Sequence, residues 1–164
     1  MKRILSAVCV LAVCSLPAMA QKMTDQQFVN FAAQTDMVEA NLGQLAQTAA
    51  SAQGVKDYGQ MLTTDHTKDF GDLNTAAQQA RLTVPTAIDS EHNKAMIDPF
   101  QKLEGKAFDH KFIQEMIAGH TKAIAVYKKE SDDAQNASIK SYAQAALPVL
   151  QAHLDKAKDL AKGK

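Results

Sequence analysis

The sequence predicts an all-α fold, a bundle of four amphipathic helices, and three observations carry that expectation. Helix breakers are scarce, with 7 Gly, 4 Pro and no Trp in 164 residues, against many Ala, Gln, Lys and Asp. Four segments place apolar residues at spacings of three and four, alternating strictly in the first and fourth, the period that keeps one helix face on a core. Each of those segments also carries one polar residue on or beside the apolar face: Glu39, His66, His120 and His153. Burying an unpaired polar group costs about 1–3 kcal/mol. One such group per helix asks for a shared explanation, either a hydrogen-bonded network or a metal site.

Residues 1–20 are expected to be a leader rather than part of the fold. Lys2 and Arg3 form a positive start, Ile4 to Leu16 an apolar run, and Pro17-Ala18-Met19-Ala20 ends in an A-x-A cleavage pattern. The run is shorter than the ~20 residues of a membrane span. The expected mature chain starts at Gln21 as one exported domain, 21–164, periplasmic or envelope-associated, with no transmembrane segment. Both cysteines, Cys9 and Cys14, leave with the leader, so no disulfide supports the fold. Taking Lys2 and Arg3 from 18 basic residues leaves 16 against 18 acidic, a net charge of −2. That balance argues against nucleic acid, which needs a basic face, and against attachment to anionic lipid.

The first helix opens on Thr24 and Gln27, spaced as a capping box, with Met23 and Phe28 at the hydrophobic-staple positions. Its stripe runs Phe28, Phe31, Thr35, Val38, Leu42, Leu45, Ala49, and Glu39 falls in the flanking row with Ala32 and Ala46. After a break at Ser51 to Gly54, the second stripe runs Val55, Tyr58, Leu62, His66, Phe70, Leu73, Ala77, Ala80. His66 points where Leu62 and Phe70 point. The helix is expected to end before Thr83-Val84-Pro85, because a residue preceding proline resists the α conformation. Residues 83–107 form a long connection in which Asp89 caps a short helix, Asp98-Pro99 begins a turn, and Gly105 reads as a helix stop.

The third stripe is Phe108, Phe112, Met116, His120, Ile124 or Ala123, and Tyr127. Asn136 is the expected cap of the fourth helix, with stripe Ile139, Ala143, Ala146, Leu150, His153, Ala157, Leu160 and an internal Pro148. At ~1.5 Å rise per residue, Glu39 and His66 lie roughly 20 Å from the first helix turn and His120 roughly 21 Å from the last. Those three fall near one level. His153 comes out about one turn away, within reach only if the helices are staggered.

Several stretches taken together resemble a known family, domain-of-unknown-function family 4142 (DUF 4142) of bacterial exported proteins. They are Phe28 to Leu45 with Glu39, Val55-Lys56 through Met61 to Asp65-His66-Thr67-Lys68, Gly105-Lys106-Ala107-Phe108-Asp109, Met116 to His120, Leu147-Pro148 and His153-Leu154. The resemblance covers nearly all of the expected mature chain. It implies a ferritin-like antiparallel four-helix bundle with a long crossover between the second and third helices. One departure is Gly119, where family members often carry Asp.

Ferritin-like di-iron centres use Glu-x-x-His pairs, and none exists here: Thr63, Ile117 and Leu150 stand three residues before the histidines. The nearest pattern is reversed, His66-x-x-Asp69. A site of three histidines and a carboxylate suits zinc, copper or mononuclear iron better than a di-iron cluster. The candidate ligands are Glu39, His66, His120 and His153, with Asp69 or Asp65 as co-ligand or orienting partner. The primary reading of these residues is nevertheless a metal-free polar network in an exported binding or structural protein, and the metal site is its alternative. His92 and His110 lack a stripe and are expected at the surface. No phosphate-binding loop, nucleophile elbow or mature-chain cysteine offers a foothold for catalysis.

Overall fold

A computed structural model describes residues 22–163 of the chain; the expected leader lies outside the described residues. Four long helices build the bundle: α1 (Asp25–Ala49), α2 (Gln53–Ala80), α4 (Gly105–Asp133) and α5 (Ala137–Ala161). Between α2 and α4 runs a crossover containing a short helix α3 (Ser90–His92), a π turn (Asn93–Ile97) and a 3-10 turn (Asp98–Phe100). Among the described residues no helix is long and apolar enough to cross a membrane.

The helix boundaries follow local chemistry. Thr24 and Gln27 form the capping box, the Thr24 side chain accepting from the Gln27 N–H and the Gln27 side chain from the Thr24 N–H. Helix α2 has no cap of its own at Ala52. Asp109, one turn into α4, takes that role by accepting from the backbone N–H of Ser51 and of Ala52. Asp89 accepts from the His92 N–H and caps α3, and Asn136 caps α5 by accepting from the Ser138 N–H. Gly105 corrects the sequence reading. It opens α4 instead of closing a crossover helix, because its φ of +61° lets the chain turn into the new axis.

End contacts set the helix directions. Asp25, at the start of α1, accepts from the backbone of Gln135 and Asn136 in the α4–α5 turn. Gln26 holds Thr83 at the start of the crossover, while Ala50 bridges to Gly105 at its end. The crossover therefore runs the length of the bundle, and α2 and α4 point the same way. Gln34, buried on α1, binds the Ala87 carbonyl and the Asp89 N–H, fixing the crossover against that helix.

Two apolar cores fill the bundle. One packs Phe28, Leu73, Tyr127 and Ile139 towards the α4–α5 turn, the other Leu42, Tyr58, Phe108 and Phe112 towards the α1–α2 turn. A polar layer lies between them. Within α1 the buried face is rotated from the stripe expected for it: Ala32, Glu39 and Ala46 are buried, whereas Phe31, Thr35, Leu45 and Ala49 are only partly covered. The cause is the close approach of α1 to α2, which swings the Gly43 edge inward. A Cβ on either Gly43 or Gly59 would sit 2.6 Å from the other's carbonyl oxygen.

Gly59→Ala is therefore expected to force α1 and α2 apart and cost about 1–3 kcal/mol in urea unfolding, as overpacking does. Gly71→Ala is the control. A Cβ there meets nothing, and helix propensity should raise stability by up to ~1 kcal/mol.

Candidate metal centre

The polar layer joins one side chain from each long helix. His66 on α2, His120 on α4 and His153 on α5 are buried, as is Glu39 on α1. One ring nitrogen from each histidine lies within 4.8 Å of the other two. Glu39 Oε2 sits 3.1 Å from His66 Nε2 and 3.2 Å from His120 Nε2. His120 Nε2 is 3.1 Å from His153 Nδ1.

Each imidazole is held from behind by its other nitrogen. His66 Nδ1–H donates to Asp36 Oδ1 at 2.9 Å. His120 Nδ1–H donates to the Met116 carbonyl one turn back in its own helix, at 2.9 Å. His153 Nε2–H donates to Asp65 Oδ2 at 2.9 Å. These partners assign the tautomers. The nitrogens left over, His66 Nε2, His120 Nε2 and His153 Nδ1, then all carry lone pairs towards Glu39 or towards one another. Four acceptors converge without a donor, and neither Glu39 Oε2 nor His66 Nε2 has a hydrogen-bond partner. Only a positive charge reconciles that arrangement, either a metal cation or an added proton.

The donor set fits a metal. Metal-bound histidines characteristically give their second N–H to a carboxylate or a backbone carbonyl, and all three do so here. Three imidazole nitrogens and one carboxylate oxygen suit a divalent transition ion, whereas thiolate or thioether sulfur would be needed to favour Cu(I). Without a metal the charges redistribute. Burial alone would lower the His66 pKa, but the Glu39 carboxylate and the contact with Asp36 raise it from 6.5 to about 10. Burial favours the neutral form of Glu39, yet His120 and His66 outweigh it and hold the carboxyl below its usual range. Burial raises Asp36 to about 7 against the pull of His66. It also lowers His153 to about 4 despite Asp65.

Of the residues singled out in the sequence, Glu39, His66, His120 and His153 come together and Asp69 does not. Asp69 Oδ2 accepts from the Tyr142 hydroxyl at 2.6 Å, and that hydroxyl also meets Tyr127 at 3.1 Å. Asp65, the other carboxylate considered, orients His153. His153 reaches the common level because Cβ atoms lean towards a helix's N-terminus. That lean carries His120 away from the α4–α5 turn and His153 towards it, so the two corrections close the gap that rise alone leaves. Asp36 was missed by sequence reasoning, although the row Val29, Asp36, Gly43 at seven-residue spacing, wholly buried, carried the signal. His110 is exposed, and His92 is partly exposed and paired with Asp89.

The family model described as a domain of unknown function (DUF4142) matches residues 12–160, and the chain belongs to that family. No curated protein matches the sequence. Solved structures of CopM share the fold. Its Cu(II)-bound form superposes with a TM-score of 0.71 at 17% identity, covering 87% of this chain and 99% of that one. The Cu(I)-bound form gives 0.67 at 17% identity over 87% and 98%, and the apo form 0.66 at 17% over 86% and 98%.

The charge on His66 makes the stability of metal-free protein fall as pH rises. The group titrates near 6.5 when unfolded and about 10 in the fold, so its contribution is complete below pH 6.5 and is lost as pH climbs through 10. Between pH 7 and 9, urea unfolding in chelator should show a loss above about 1.4 kcal/mol, the worth of one pKa unit. Glu39→Gln should flatten that slope. A pH-independent stability over this range would show that His66 carries no proton there.

Proposed function

We propose that this DUF4142-family protein is an exported, periplasmic or envelope-associated metal-binding protein. Its bundle core takes one divalent transition-metal ion, zinc, copper or mononuclear iron, on His66, His120, His153 and Glu39. The observation that carries the reading is the convergence of three lone-pair nitrogens and one carboxylate oxygen. Each imidazole is locked from outside, and two of the inward atoms lack any hydrogen bond. The Cu(II)-bound CopM structure lends support from a protein of the same fold.

The task that fits is holding an ion rather than turning over a substrate. The cavity at the histidines has a volume of only about 10 Å³, whereas small-molecule sites span roughly 300–1,000 Å³. Asp36, Asp65 and the Met116 carbonyl would keep the imidazoles oriented, and the two apolar cores would exclude water from either side. The bound ion would supply the positive charge that the four acceptors lack. A second reading is favoured by the raised pKa of His66: a proton supplies that charge and the layer is purely structural.

Elemental analysis of untagged protein separates the two. Near-stoichiometric metal, lost in His66→Ala, is expected, with metal-free protein stabilised by ~2.7 kcal/mol when the free ion reaches a hundred times its Kd. Protein purified without metal, whose melting temperature ignores zinc, copper, iron and manganese, would overturn the metal reading. In that case His66→Ala should cost a few kcal/mol by breaking a buried network.

A further inference from the structure

We propose that the ion enters and leaves through the seam between α2 and α5, meeting the carboxylates of Asp65 and Asp69 first; the inference rests on the metal reading above. Openings on other seams, a groove beside His110 and Leu160 and a small pocket beside Met96 and Glu115, are lined by none of the four ligands. Helices α1 and α2 meet backbone to backbone at Gly43 and Gly59. The side between α1 and α4 is covered by the crossover, held down by Gln34 and by Phe100, which packs on Phe108 and Phe112. Helices α4 and α5 are locked by the Tyr127–Tyr142 contact and by the Gln144 side chain bound to the Ser131 carbonyl.

The α2–α5 seam is different. It holds a surface groove of about 410 Å³ whose walls include Asp65, Asp69, Asp72, Tyr142 and Val149. A narrow inner pocket of about 10 Å³ continues it, sharing Asp65, Asp69, Ala146 and Val149 with the groove and reaching His66 and His153. Two of the four candidate ligands thus line the inner end of an opening to solvent. One of them, His66, is buried and carries a nitrogen with no hydrogen-bond partner. The inner pocket has room for an ion and not for an organic molecule.

The residues along this path are suited to a cation. Asp65, Asp69 and Asp72 fall at i, i+4 and i+7, on one face of α2. Lys68 also lines the groove and pairs with Asp72, the outermost of them, so the walls keep an excess of negative charge. Asp65 spans the path: its side chain is 37% exposed, yet it accepts from the buried ring of His153. An ion at Asp65 is already beside its next donor. Acidic walls of this kind raise the local cation concentration and the rate of encounter. On the α5 side, Val149 is a large apolar residue left 43% exposed, next to Pro148, which has no N–H to bond the Gln144 carbonyl and so weakens the helix wall there.

Stopped-flow mixing of metal-free protein with Cu(II), followed by tyrosine fluorescence, tests the route, with release measured into excess chelator. Val149→Phe and, separately, Ala145→Phe fill the mouth from exposed positions. Each should slow loading and release together by tenfold or more while leaving Kd within twofold, because an obstruction on a path acts equally in both directions. Asp69→Asn should slow loading at low ionic strength only, since salt screens the attraction. If wild type binds Cu(II) and both Phe variants exchange it at the wild-type rate, the route is wrong and the metal reading stands. If wild type takes up no ion, both fall.

Discussion

Glu39 holds a carboxylate oxygen within 3.2 Å of two imidazole nitrogens, in the interior of the bundle, with a hydrogen bond to neither. In water such crowding would be relieved by solvent. Here apolar cores lie on both sides, and the low local dielectric makes an unpaired polar group more costly than at a surface. The contact can persist only if a positive charge, a metal ion or an added proton, sits among the acceptors. The rest of the structure follows from meeting that demand, because the four groups arrive on four different helices and small errors in their placement would be expensive.

Placement is achieved by fixing the outer side of each ring. Asp36 holds His66 from α1, Asp65 holds His153 from α2, and the carbonyl of Met116 holds His120 from within α4. The Tyr58 hydroxyl donates to the carbonyl of His153, tying α2 to α5 at the level of the site. The backbone contact of Gly43 with Gly59 brings α1 close enough to α2 for Asp36 and Glu39 to grip opposite ends of the His66 ring. Gly119 faces Glu39 from α4, where a Cβ would lie 3.4 Å from Glu39 Oε1, an ordinary contact. Small residues and buried carboxylates thus act as one positioning system.

Much of this was legible in the sequence because it is written in local periodicity. The Thr24–Gln27 box and the caps at Asp89 and Asn136 depend on residues a few positions apart and are present as read, and the helical period locates all four long helices. Rise arithmetic put Glu39, His66 and His120 at one level, since each count starts from a nearby turn. The misreadings share a cause in long-range geometry. Glu39 is central because α1 rotates on the Gly43 contact, which no stripe within α1 records. His153 joins the cluster through the lean of side chains along antiparallel helices. Asp69 is drawn to Tyr142, 73 positions away in the chain, so the appealing His66-x-x-Asp69 spacing describes a face and not a partnership. Asp36 was hidden because a lone aspartate in a helix most often faces water.

The most direct test is X-ray absorption spectroscopy on untagged protein loaded with one equivalent of zinc. A metal held at this centre should show a first shell of nitrogen and oxygen at ~2.0–2.2 Å with the multiple-scattering signature of three imidazoles. A shell containing sulfur at ~2.3 Å, or one of oxygen with no imidazole signature, would place the ion elsewhere and contradict the assignment of Glu39, His66, His120 and His153 as its ligands.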